Sequence, residues 1–140
     1  MNYRNVFQDA MCAAWQRQKG KVIIMVKELK TEEYDKEIAN KAGLSIVEFK
    51  ARWCTPCKLQ KPVLELLAVK YEDQLEVFTC DIDEEHQLVN RFNIFSVPTI
   101  LFFQNGRLVS RVIGYKSLSI LENVIKNLLN PVDKPVMAQS

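Results

Sequence analysis

In Trp53-Cys54-Thr55-Pro56-Cys57-Lys58, residue type and spacing together point to a reaction. Two thiols three residues apart at the start of a helix face the same way. Their Cα atoms then lie about 5 to 6 Å apart, a separation that a disulfide accepts. Such a pair opens and closes with little backbone movement. The helix N-terminus adds positive potential and free N–H groups, which favour thiolate over thiol. Lowering a cysteine pKa from about 8.5 to about 7 raises the thiolate fraction at pH 7 from a few per cent to about half. Nucleophilicity falls only in part as pKa falls, so a thiol tuned near ambient pH attacks fastest. Cys54, ahead of the helix, is expected to be the exposed attacking sulfur. Cys57, inside the first turn, is expected to be shielded and to resolve the mixed disulfide.

The competing reading of such a pair is half of a zinc site. A second ligand pair is wanting, since Cys12 and Cys80 stand apart and the chain has a single histidine, His86. No metal and no organic cofactor is expected. Cys80 ends an apolar run and reads as a small buried hydrophobe, with a regulatory thiol as the alternative.

The elements around the pair follow from the rest of the chain. Its 140 residues, 48% hydrophobic and 26% charged, suit one globular domain with a real core, and exclude collagen, disorder and a disulfide scaffold. A net charge of +2 is too mild to argue for a nucleic-acid partner. The longest apolar runs, 44–49 and 97–103, have strand lengths, so no membrane span is expected. Residues 1–20 form an expected N-terminal extension, with an amphipathic helix over 7–18 on Phe7, Ala10, Met11 and Ala14. That helix packs on the domain, serves as an organelle transit peptide, or docks a partner with Cys12 as an accessible thiol. The pattern of a secretory signal is missing from it, and a cytoplasmic location is expected.

Within the expected domain, 21–130, strands are predicted over 21–29, 44–50, 75–81, 99–104 and 108–113. Helices are predicted from Thr31, as N-cap, to Gly43, from the motif to about Tyr71 with a kink at Pro62, over 84–92, and over 118–129. Asn105-Gly106 is a strong hairpin signal. Alternating strands and helices imply parallel pairing and the hairpin adds antiparallel strands. The expected class is therefore α/β, a mixed central sheet with helices on both faces. Residues 131–140 read as a mobile tail.

Residues 22 to 129 resemble a thioredoxin. The match is carried by the WCxPCK motif, Pro62 in the following helix, Asp81-Ile82-Asp83, Val97-Pro98-Thr99, Asn105-Gly106 and Gly114. The resemblance implies the thioredoxin fold, a cis Pro98 facing the cysteines, and reduction of protein disulfides by a monomer that a thioredoxin-reductase-type donor recharges. It also implies that Trp53, Thr55, Pro56, Val97, Pro98, Ile113 and Gly114 surround a groove for substrate strands. Disulfide oxidase or isomerase activity, and a binding module using the leading helix, are the alternatives.

Four departures stand out. Glu48 replaces the buried Asp usual in the family. Amid Ile46, Val47 and Phe49 it should be desolvated, with a raised pKa suited to a general base for the Cys57 proton, unless it pairs with Lys50 on the same strand face. Thr79 stands where the family tends to hold a Lys, and Lys50 where it holds a second Trp. Thr55 replaces a Gly, and its hydroxyl either bonds the Cys54 thiolate or caps the turn. Lys58 is a solvated surface lysine or a source of positive field near the thiolate.

Overall fold

The computed structural model describes residues 25–131. The expected leading helix, Cys12, the first four residues of the first predicted strand and nearly all of the expected tail lie outside that range. Five strands form one sheet: β1 (Val26–Glu28), β2 (Leu44–Lys50), β3 (Leu75–Asp81), β4 (Thr99–Gln104) and β5 (Arg107–Ile113), in the order β1-β3-β2-β4-β5. The helices are α1 (Thr55–Lys70), α2 (His86–Arg91) and α3 (Leu118–Leu129). Strands β1, β3 and β2 pair in parallel, while β4 runs antiparallel to both β2 and β5.

Alternation along the central strands divides the core in two. Ile46, Val77, Ile100 and Phe102 point to one face, against Leu64 and Leu67 of α1 and Leu121 and Ile125 of α3. Val47, Phe49, Phe78, Leu101 and Phe103 point to the other, against Tyr34, Ile38 and Leu88. Both faces are therefore covered, as a parallel core requires. Leu67 is fully buried, and its truncation to Ala should cost about 2–5 kcal/mol.

The hairpin joining β4 to β5 is set by Asn105 at φ 52° and Gly106 at φ 82°, the two left-handed positions of a type I′ turn. Gly106 is required twice over, because a Cβ there would strike the Ala39 carbonyl. Asn105 also accepts the Gly43 N–H through its side chain, tying the hairpin to the start of β2.

The predicted helix from Thr31 to Gly43 is corrected by the structure. A single 3-10 turn, Thr31–Glu33, is followed by a π-helical stretch, Asp35–Ala39. Thr31 is not the cap, because its N–H and its hydroxyl both donate to Glu85 Oε1, each at 2.9 Å. The hydroxyl is committed to a distant segment and leaves its own turn. The predicted helix over 84–92 contracts to α2, while α1 continues through Pro62. No helix among the described residues is long and apolar enough to cross a membrane.

Candidate active site

Strand β2 ends at Lys50, and the chain reaches α1 through Ala51, Arg52 and Trp53. Cys54 is the N-cap of α1, with extended backbone, and Pro56 falls within the first two helical positions, where its missing N–H leaves no partner wanting. Cys54 and Cys57 are joined as a disulfide with Cα atoms 5.3 Å apart, inside the range expected from their spacing. The Cys57 N–H donates to Cys54 Sγ at 3.1 Å, so the sulfur takes the place of a capping oxygen. An N–H aimed at that sulfur stabilises it as thiolate once the disulfide opens.

The expected contrast in exposure is not found, since Cys54 is 3% and Cys57 4% exposed. Ala51, Val97 and Ile82 pack around both. Local position on the helix could not show the part of this cover that Ile82 and Val97 supply from loops far along the chain. Thr55 and Pro56 are exposed, and the Thr55 hydroxyl makes no hydrogen bond among the described residues. Lys58 is exposed on α1.

Val97–Pro98 is a cis peptide, and the segment before β4 brings Val97 against the cysteines. The Gly114 N–H donates to the Pro98 carbonyl at 2.7 Å, which fastens this loop to the end of β5. Beyond Gly114, Gln60 of α1, fully buried, accepts the Lys116 N–H and donates to the Lys116 carbonyl. Trp53, 66% exposed, donates its indole N–H to Asp83. Ile113 is exposed as well, and Phe95, two residues before Val97, is 91% exposed. Phe95 and Gln60 were missed in the sequence. The available signal for Phe95 was an aromatic beside Val97-Pro98 in a loop without periodic order.

Glu48 lies in the middle of the sheet, 1% exposed, and its Oε2 has no hydrogen-bond partner among the described residues. Burial pushes its carboxyl up to about 7, with Lys50 pulling the other way. The alternative of a carboxylate paired with Lys50 is not realised, since no ion pair joins them. Glu48 and Cys57 both line a cleft of about 380 Å³ between the sheet and α1, together with Lys50, Lys58, Lys61 and Thr79. Cys80 is fully buried and its thiol is pushed up to about 12 by burial and then by Glu85, which suits the inert reading of that residue.

A disulfide at a helix N-terminus, a cis proline beside it and a desolvated carboxyl behind it make a site for reversible thiol-disulfide exchange. The Thioredoxin family profile matches residues 25–127. Thioredoxins of Staphylococcus aureus, among them those of strains Mu50, MW2 and N315, are 33% identical over 97 residues, covering 69% of this chain and 93% of theirs. The chain belongs to the thioredoxin family and is a thiol-disulfide oxidoreductase whose redox pair is Cys54 and Cys57.

Proposed function

We propose that this chain reduces disulfides in other proteins, with Cys54 as nucleophile, Cys57 as resolving thiol and Glu48 as general base. The Cys54 thiolate attacks one sulfur of the substrate disulfide, forming a mixed disulfide and releasing the other sulfur as thiolate. Glu48 takes the proton of Cys57, whose thiolate then attacks Cys54 Sγ. The second substrate sulfur leaves, and two electrons have passed from the cysteine pair to the substrate. A reductase of the thioredoxin-reductase type returns two electrons and two protons to the pair.

The observation that carries this reading is the pairing of Cys57 with an unpartnered, buried Glu48 on one cleft. A base titrating near ambient pH is matched to drawing a proton from a shielded thiol. Trp53, Ile113 and Phe95 supply exposed apolar surface at the end of the sheet where the disulfide lies. Around Val97, Pro98 and Gly114 an extended substrate segment docks by backbone hydrogen bonds. The free thiol of Cys80 suits a reducing compartment such as the cytoplasm, and the chain acts there as a monomer.

Equilibration of the Cys54/Cys57 couple with a defined thiol buffer tests the direction of the chemistry. A potential near about −270 mV, the poise of thioredoxins, is expected of a reductant. A potential of about −120 to −180 mV would make the protein an oxidant or isomerase and overturn the proposal.

A further inference from the structure

Glu48 and Lys50 stand two residues apart on β2, so both side chains project to the face covered by α1. Both line the cleft that reaches Cys57. Glu48 is buried, whereas Lys50, at the outer end of the strand, is partly exposed. Parallel register places Thr79 beside Glu48 and Asp81 beside Lys50, and on the other side Glu48 faces Ile100 of β4.

The remaining charges around the cleft are mostly engaged or exposed. On β1, Glu28 is tied to Lys30 at 3.0 Å. Asp81 accepts the Asp83 N–H and has Arg52 Nε 3.8 Å away, and Arg52 also meets Glu84. Lys58, Lys61 and Glu65 line the cleft from the exposed side of α1. Lys50 makes no ion pair among the described residues, and it shares a strand face with a carboxyl that also lacks a partner on Oε2.

We propose that Lys50 is a positioning residue for the resolving step: its ammonium, sharing the strand face and the cleft, raises the share of Glu48 that is ionised and ready to take the Cys57 proton. The inference rests on Glu48 being the base. A cation on the same face, too far for an ion pair, offsets part of the cost of ionising a buried carboxylate without neutralising it as a base. The electrostatics agree, since Lys50 draws the Glu48 carboxyl down against burial.

The test is the rate of protein-disulfide reduction against pH for the full chain, its K50Q, K50R and E48Q variants, with the reductase in excess. In the wild type, the rate should fall on the acid side as Glu48 takes up its proton. K50Q should move that limb up by about 0.5 to 1 pH unit, slowing the enzyme roughly three- to tenfold on the limb and little at high pH. K50R should restore the wild-type limb, and E48Q should lack it. Carboxyl NMR titration of Glu48 in oxidised K50Q reads the same shift without turnover. A limb that stays in place in K50Q, or moves as far in K50R, overturns the role of Lys50 and leaves Glu48 as base. A limb that persists in E48Q overturns the base reading itself, and the Lys50 proposal with it.

Discussion

Helix α1 has a buried glutamate near each of its ends, and the two are handled in opposite ways. At its C-terminal end, Glu122 of α3 accepts from Lys70 Nζ at 2.6 Å and from the Tyr71 hydroxyl at 2.7 Å. Burial pushes the Glu122 carboxyl up, but the bonds from Lys70 and Tyr71 win and hold it below the usual carboxylate range. Tyr71 is pushed up in turn, first by burial and then by the carboxylate it donates to. Near the N-terminal end of α1, Glu48 is buried more deeply and lacks such donors on Oε2, and it is pushed up to about 7. Burial alone does not make a base. A buried carboxylate given donors becomes a clamp between helices, and one denied them becomes a group that exchanges a proton near neutral pH.

The comparison breaks first at the sulfurs, if chemistry does not belong to the Glu48 end. Cys54→Ser should abolish disulfide reduction, and Cys57→Ser should stop at a mixed disulfide through Cys54 that is visible by mass spectrometry. Glu48→Gln should slow turnover by about 10²-fold at neutral pH, the range of one general base. Stopped-flow single turnovers would show whether the loss falls on resolution, as expected, or on the first attack.

Stability against pH sharpens the contrast, because the two glutamates carry opposite signs. The folded-state pKa of Glu48 lies above its ordinary value of 4.5, so the folded protein holds the extra proton. Its contribution is fully present below pH 4.5 and is lost as the pH rises through about 7. A shift of that size is worth on the order of 3 kcal/mol. Denaturant unfolding of the oxidised protein should therefore show a fall between pH 5 and 8 that E48Q lacks. Glu122 is held down, so its contribution is present above its unfolded value and disappears as the pH falls through the folded one. E122Q should leave reduction of disulfides unchanged and cost about 1 to 3 kcal/mol at pH 7, the range for a hydrogen bond to a charged group. The smallest effect is expected at Phe95. F95S should raise KM for a protein substrate about threefold, the loss of one exposed apolar contact, with no change in the rate of reaction with dithiothreitol.

Much of the Glu48 end was legible in the sequence, and the Glu122 end was not. Glu48 sits in a run of apolar and β-branched residues bounded by Gly43 and the cysteine motif, which predicts a buried strand at the observed limits of β2. A carboxyl inside such a strand must be desolvated. β3, β4 and α3 also appear at their predicted limits, since turn residues or clear periodicity bound them. What failed depends on contacts across long sequence separations. Thr31 looked like a cap and is spent on Glu85, 54 residues away. Cys54 looked exposed and is covered by Val97 and Ile82. Gln60 drew no expectation, because its amide finds both backbone groups of Lys116, 56 residues on. Glu122 becomes a clamp only because Lys70 and Tyr71 reach it from another helix end.

The most direct measurement is a carboxyl NMR titration of Glu48 in the oxidised protein. A midpoint near 7 is the expected result. A midpoint near the ordinary 4.5 would show that Glu48 is solvated or paired like Glu122, and would contradict its role as the base for Cys57.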